Sequence, residues 1–225
     1  MEEQEHHNTS ISPENNNDFE ARCEKLIAED YEFKFSEYIN QGFDIFKKDA
    51  GAFIGYLIIA LFISIACAII PILGPLLSMF ITPPLYAGYF IVAKKIIHNE
   101  PYEFGDFFKG FDYLVQLFLG NLIVSIFVTI GIVFCIIPGI YLAVAYIWVT
   151  MFIVFAGLEF WPAMEMSRKV ITKNWFSFLG FIIVLGLINL LGLLALGVGL
   201  LVTIPSTKLA LFAAYNDIVG TNRQE

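Results

Sequence analysis

The 225-residue chain is 58% hydrophobic and only 15% charged, with a mean hydropathy of +0.73. A soluble globular domain normally carries a larger charged surface, so this composition favours a protein solvated by lipid. The formal net charge of −8 is concentrated near the N-terminus, and no basic, aromatic-rich stretch suggests nucleic-acid binding.

Residues 1–35 form an acidic segment that is poor in hydrophobic residues. Ten of the first 32 residues are Asp or Glu, and only Arg22 and Lys25 oppose them. This composition predicts a disordered cytoplasmic tail, which is a candidate docking site for a membrane or cytoplasmic protein partner. A secretory signal peptide begins with basic residues, so we expect the first membrane span to act as its own insertion signal.

Residues 36–220 predict an all-α, polytopic membrane domain. An α-helix rises about 1.5 Å per residue, so about 20 apolar residues cross a hydrocarbon core of about 30 Å. The clearest pair is central, where residues 118–137 and 140–158 lack charge and flank a turn at Pro138 and Gly139. We predict six spans, at residues 51–70, 76–92, 117–137, 140–158, 176–196 and 200–215, followed by a polar C-terminus at 221–225.

The second of these spans contains Pro83 and Pro84, which remove two backbone donors and predict a break or a kink. An amphipathic segment precedes each odd-numbered span, at residues 36–49, 98–112 and 161–174. We predict that these segments are helices lying at the cytoplasmic interface.

The distribution of basic residues predicts the orientation. Twelve of the 13 Lys and Arg residues fall in the N-terminal segment, the two long connectors or the C-terminus, and the exception is Lys208. The three tight turns, near residues 71, 138 and 197, carry no charge. By the positive-inside rule, both termini are predicted to be cytoplasmic.

The six spans also suggest three copies of one hairpin unit. Each copy opens with an apolar pair followed by Gly, at residues 53–55, 118–120 and 178–180. The spacing from this Gly to the tight turn is 16, 18 and 17 residues, and from the turn to a pair of small residues it is 16, 18 and 16. Bilayer thickness alone produces similar spacings but does not require the small pairs, which favours three parallel repeats about a pseudo-threefold axis.

The last residues of these small pairs are candidate helix-packing positions, because small residues let helix backbones approach closely in lipid. They are Gly88, Gly157 and Ala214.

A candidate polar layer lies near the middle of the odd-numbered spans. Ser64, Thr129 and Asn189 each stand nine residues after the opening Gly. A polar side chain at that depth needs a partner from another helix or from water. Two interpretations stay open, a ring of interhelical hydrogen bonds and a small polar cavity in which a transporter holds its substrate.

Lys208 follows Pro205, Ser206 and Thr207 within the sixth predicted span. Ionisable residues in a span are costly and usually face the interior of a bundle or water. The alternative is a span broken at Pro205, with Lys208 reaching towards the cytoplasmic headgroups. Glu159 and Asp217 are the nearest candidate counter-charges.

The sequence lacks the common catalytic motifs, including a phosphate-binding GxxxxGK[ST] loop, HExxH, GxSxG and CxxC. The three histidines lie in the acidic tail and in a connector, which predicts neither a metal site nor a cofactor. Cys67 and Cys135 each precede a turn proline by three or four residues. We interpret them as small apolar core residues, with an outer-leaflet disulfide as the alternative.

Four short segments carry a family resemblance: residues 83–88 (PPLYAG), 104–111 (FGDFFKGF), 138–141 (PGIY) and 161–169 (WPAMEMSRK). Over about residues 36–220, the chain resembles a broad group of uncharacterised prokaryotic six-span membrane proteins. That group is similar to the membrane domain attached to some glycerophosphodiester phosphodiesterases. The resemblance implies six helices in the plasma membrane. It implies no catalytic residue, because the soluble phosphodiesterase domain has no counterpart in this sequence.

The sequence therefore favours a membrane protein without a catalytic site that organises lipids or membrane partners. The alternative function is a small-solute or lipid transporter or channel. It would use the layer of Ser64, Thr129 and Asn189 together with Lys208.

Overall fold

The structure is a computed structural model that describes residues 13–29, 31–71 and 73–221. Within these residues all regular secondary structure is helical. A 3₁₀ helix spans Phe104–Tyr113. The α-helices are α1 (Pro13–Ala28), α2 (Phe35–Lys48), α3 (Ala50–Ile69), α4 (Leu73–Ile97), α5 (Leu114–Phe134), α6 (Ile136–Ala145), α7 (Val149–Ala156), α8 (Phe160–Lys173), α9 (Trp175–Leu194) and α10 (Leu200–Ile218).

Five stretches of the described chain are long and apolar enough to cross a membrane, which confirms the predicted membrane class. They are Ala50–Ile69, Leu73–Ile97, Phe104–Phe134, Ile136–Ala156 and Trp175–Leu194. Helix α10, the sixth predicted span, has 19 residues but is not among the five. Its sequence includes Lys208 and Asp217, which lower its hydropathy.

The helices divide into an inner and an outer set. In the most apolar segment of each candidate span, half or more of the residues are buried in α4 (50%) and in the α6–α7 stretch (67%). The buried share is only 17–22% in α3, in α9 and in the stretch that contains α5. The inner helices meet through aromatic rings, with the Phe212 centroid 6.3 Å from that of Phe90 and 5.5 Å from that of Phe155. Side chains of α4, α7 and α10 therefore fill the centre of the bundle.

The first and third predicted amphipathic segments are helical over nearly their full length, whereas the second, at 98–112, is helical only from Phe104. Each of the three packs on an inner helix. The 3₁₀ helix packs on α4, where a Cβ at Gly110 would overlap the Pro84 carbonyl oxygen. Helix α2 packs on α10, where a Cβ at Gly42 would meet the Ser206 carbonyl oxygen at 2.6 Å. Helix α8 packs on α7 and places Ser167 against the turn between α6 and α7. There the Ser167 hydroxyl donates to the Ala145 carbonyl (2.7 Å).

Helix α4 continues through Pro83 and Pro84, so the two prolines do not end it. Both are buried, and the Pro84 carbonyl lies against the 3₁₀ helix. From the neighbouring helix α3, the Tyr56 hydroxyl donates to the Leu85 carbonyl (2.8 Å). Packing on two sides thus supports the segment in which two backbone donors are missing.

Hydrogen bonds join the connectors at one end of the bundle. Tyr102, in the connector before the 3₁₀ helix, donates to Asp49 at the start of α3. Tyr38 of α2 donates to Asp217 near the end of α10 (2.7 Å), and Tyr31 donates to the Val170 carbonyl of α8 (2.9 Å). Burial, reinforced by the Asp217 carboxylate, raises the pKa of Tyr38 above its ordinary value, which keeps its hydroxyl a donor.

Part of the segment predicted to be a disordered tail is helical. Helix α1 places Phe19 and Cys23 one turn apart, and both are buried. The Phe19 ring lies 6.2 Å from that of Phe152, edge to face. Two apolar residues on one helical face therefore dock an otherwise polar segment, while residues 1–12 lie outside the described residues.

The close approach between the 3₁₀ helix and α4 provides a stability test. Gly110→Ala should lower the free energy of unfolding by about 1–3 kcal/mol, because the new methyl group would overlap backbone rather than a flexible side chain. The measurement is thermal unfolding of the purified protein in detergent. Gly105→Ala, in the same helix with no atom within 4 Å of the new Cβ, is the matched control. If Gly110→Ala and Gly105→Ala unfold at the same midpoint temperature, the close contact between Gly110 and the Pro84 backbone would be contradicted.

Candidate functional site

Lys208 lies in a pocket of about 240 Å³ between α3, α4 and α10. The pocket opens on the side of the bundle, since Leu61 and Tyr86 at its edge are 53% and 45% exposed. Most of the wall is apolar. The lining residues are Leu57, Ala60, Leu61, Ser64, Thr82, Leu85, Tyr86, Tyr89, Ile204 and Lys208.

Two tyrosine rings surround the Lys208 amine. Its Nζ lies 3.6 Å from the ring centroid of Tyr86 and 4.3 Å from that of Tyr89. A cation over an aromatic face is stabilised by about 2 kcal/mol or more once water is excluded. The two rings therefore supply a partial substitute for hydration.

No acidic group neutralises Lys208 within the described part of the chain. Of the two predicted counter-charges, Asp217 pairs instead with Tyr38 and with Lys34, whose Nζ is 3.4 Å away. Glu159 lies at the N-terminus of α8 and is exposed. A cation so placed carries an uncompensated desolvation cost, which an anion entering the pocket would reduce.

Tyr89 brings a second unsatisfied polar group to the same pocket. Its side chain is 1% exposed, and its hydroxyl oxygen has no hydrogen-bond partner among the described residues. The ring is held at one edge by Tyr56, whose centroid lies 4.9 Å away. A buried hydroxyl without a partner is uncommon, so Tyr89, which lines the pocket, retains an unused donor.

The structure places the four residues of the predicted polar layer in three different surroundings. Ser64 lines the Lys208 pocket, and its hydroxyl donates to the Ala60 carbonyl (2.8 Å). Asn189 donates from Nδ2 to the Thr207 hydroxyl (3.0 Å), across α9 and α10. Thr129 is exposed on α5, which packs mainly against α4, α6, α7 and α8.

The contact between α9 and α10 leaves polar atoms without partners. Asn189 Oδ1 and the Thr203 hydroxyl are buried, and neither has a hydrogen-bond partner among the described residues. Gly192 allows this close approach, because a Cβ there would overlap Thr203 Oγ1.

The small residues that were predicted to pack helices occupy two kinds of position. Gly88 and Ala214 are buried, and a Cβ at Gly88 would overlap the carbonyl oxygen of Phe107. Gly157 instead ends α7 in a left-handed conformation, with φ 64°, which glycine adopts without strain. Cys67 is buried and Cys135 exposed, and no disulfide joins them.

Sequence reasoning did not single out Tyr86 and Tyr89 as partners of Lys208. The available signal was their i, i+3 spacing, which puts both rings on one face of a predicted span. The face that a helix turns towards another helix cannot be read from spacing alone, so the pairing needed the tertiary structure.

A second pocket, of about 620 Å³, lies at the connector end beside the 3₁₀ helix. Its main charged group is Asp106, whose carboxylate lies 2.7 Å from Lys95 Nζ and 2.6 Å from Lys109 Nζ. Both cations therefore pair with the same carboxylate, and this cluster holds the 3₁₀ helix against α4. The described residues contain no group of His, Cys, Asp and Glu able to hold a metal ion.

Comparison of the chain with family models, with curated proteins and with solved structures found no match.

Replacing Lys208 should stabilise the empty protein. Lys208→Met removes an uncompensated cation, whose desolvation costs several kcal/mol and exceeds the cation–π contribution of about 2 kcal/mol. We expect the free energy of unfolding to rise by about 1–3 kcal/mol, measured by denaturation of delipidated protein. Lys48→Met, at an exposed end of α2, removes the same charge and should change little. A lower stability for Lys208→Met would mean that the tyrosine rings compensate the buried charge in full.

Proposed function

We propose that α10 crosses the membrane as a sixth span and that both termini are cytoplasmic, in the plasma membrane. The support is the set of bonds that join the charged connectors at one end, including Tyr102 to Asp49 and Tyr38 to Asp217. A single polar end is what the positive-inside rule requires of six spans. The burial of α10 among the other helices explains how a span can tolerate Lys208.

The same proposal includes three hairpin units arranged in a ring. The first unit comprises α2, α3 and α4, the second the 3₁₀ helix with α5, α6 and α7, and the third α8, α9 and α10. The 3₁₀ helix of the second unit packs on α4 of the first. Helix α8 of the third unit packs on α7 of the second. Helix α2, which opens the first unit, packs on α10 of the third. Each amphipathic helix thus rests on the preceding unit, and the contact of α2 with α10 closes the ring.

We propose that the protein is a non-catalytic membrane protein that organises lipids by binding them in the Lys208 pocket. The observation that carries this proposal is the position of Lys208, a cation to which the described residues offer no counter-charge, in an apolar pocket that opens sideways. In a membrane, that opening would face lipid. An anionic lipid component could enter there without passing through water.

A transporter or channel is the second candidate, and the unpartnered Asn189 Oδ1 and Thr203 hydroxyl favour it. A transport path along the threefold axis is opposed by the rings of Phe90, Phe155 and Phe212, which meet at the centre. The lateral pocket therefore fits lipid binding better than passage of a solute.

The resemblance to the membrane domain attached to some glycerophosphodiester phosphodiesterases also stays a proposal. Two of the segments on which the resemblance is based, residues 83–88 and 104–111, pack against each other. We further propose that the acidic N-terminal segment binds a membrane or cytoplasmic protein, with α1 holding that segment near α8.

Reporter fusions test the six-span topology. Fusions after residues 71, 138 and 198 should all report the outer side of the membrane, because these positions lie at, or within three residues of, the uncharged breaks between α3 and α4, α5 and α6, and α9 and α10. Fusions after residues 49, 100 and 174 are the matched controls and should report the cytoplasm. A further fusion after residue 221, beyond the end of α10, should also report the cytoplasm. If it reports the outer side while the other six are as expected, α10 does not cross and five spans remain.

Native mass spectrometry tests lipid binding. The full-length protein, extracted in a mild detergent, should carry lipid adducts that Lys208→Met loses and Lys208→Arg retains in part, because Arg keeps the charge. Lys48→Met should retain them, since Lys48 is exposed at the end of α2. Equal adducts in Lys208→Met and the unmodified protein would overturn lipid binding at this pocket.

A further inference from the structure

We infer that the Lys208 pocket binds the carboxylate head of a long-chain fatty acid, which pairs with Lys208 Nζ and accepts a hydrogen bond from the Tyr89 hydroxyl. This inference rests on the proposed lipid-binding function and names its ligand. It starts from two independent observations on residues that line one pocket. Within the described part of the chain, Lys208 has no counter-charge and the buried Tyr89 hydroxyl has no hydrogen-bond partner.

The two polar groups define the chemistry of the ligand head. Lys208 requires negative charge, and the Tyr89 hydroxyl requires an acceptor. A carboxylate supplies both, because its two oxygens accept separate hydrogen bonds. Bonds to an ionised acceptor are also stronger than those between neutral groups, which suits a site with few polar atoms.

The depth of the pocket in the membrane favours a carboxylate over a phosphate. Tyr86 is the fourteenth of 25 residues in α4, and Lys208 is the ninth of 19 in α10, so both lie near the middle of their helices. A phosphodiester keeps its negative charge and is costly to move to that depth, whereas a carboxylic acid can enter in its neutral form. On pairing with the Lys208 ammonium, the acid releases its own proton to water, which leaves Nζ protonated and the negative charge on the carboxylate.

The walls of the pocket suit a single alkyl chain. Leu57, Leu61 and Ile204 line it, and Leu61 continues onto the exposed side of α3. A volume of about 240 Å³ accommodates a carboxylate and the first part of its chain, and the remainder would lie along α3 in lipid. A glycerophosphate head with the first parts of two acyl chains would need more space than this pocket provides.

The test is titration of the full-length protein in detergent with oleate, methyl oleate, oleoyl lysophosphatidate and phosphatidylglycerol, followed by native mass spectrometry. Oleate should bind at least tenfold more tightly than methyl oleate, which has the same chain without the charge. Lys208→Met should weaken oleate binding at least tenfold. Tyr89→Phe keeps the ring and should weaken it about tenfold, through the lost hydrogen bond to a charged group.

The outcomes separate this inference from the proposal on which it rests. Lys208-dependent binding of oleoyl lysophosphatidate or phosphatidylglycerol, without binding of oleate, would overturn the carboxylate and leave lipid binding intact. Equal binding of oleate and methyl oleate would also overturn the carboxylate. If none of the four ligands depends on Lys208, both the inference and the lipid-binding function fail. Should Lys208→Met not fold, Tyr89→Phe decides, and unchanged oleate binding in that variant counts against the inference.

Discussion

Direct backbone contact between amphipathic and inner helices is the constraint on which the arrangement depends. Gly42 lies against Ser206 and Ala210, two positions that flank Lys208, and Gly110 lies against Pro84, two residues before Tyr86. These two contacts position α10 and α4, the helices whose side chains form the cation–π cluster. A larger residue at either glycine would displace a helix and change the distance from the Lys208 amine to the tyrosine rings.

The division into inner and outer helices determines where chemistry can occur. Aromatic side chains of α4, α7 and α10 fill the centre, so the polar groups of this bundle lie at its side or at its connector end. Tight packing of large rings excludes water from the axis. The lateral pocket is therefore the place, away from the connector end, where a charged side chain of the described residues meets both space and the outer surface.

Lys208 and Asp106 contrast two ways of holding a charge in an apolar setting. Asp106 has two cations within 2.7 Å and stabilises the local fold as a clamp. Lys208 has aromatic rings but no anion among the described residues, so its stabilisation is incomplete. A charge that is paired with opposite charges of the same fold has a structural explanation. A charge without such a pair is typical of a ligand-binding site.

Much of the helix map followed from sequence, because hydropathy and charge are local properties. The segment predicted at residues 36–49 is α2, Phe35–Lys48, and the one at 161–174 is α8, Phe160–Lys173. Residues 13–28 lie in the segment predicted to be disordered but form helix α1, because Phe19 packs on Phe152 of α7, more than 100 residues away. Such a partner leaves no trace in the composition of the tail itself.

The same distinction between local sequence information and long-range contacts applies to the candidate site. The sequence by itself determined that Lys208 is an ionisable residue within an apolar helix, and that Ser64 and Asn189 are polar residues at similar depth. Only the tertiary structure decided that Ser64 joins Lys208, that Asn189 joins Thr207 and that Tyr86 and Tyr89 surround the amine. The physical reason is that spacing fixes the face of a helix on which a residue lies. Contacts far apart in the chain, such as Gly42 on Ala210, decide which neighbour that face meets.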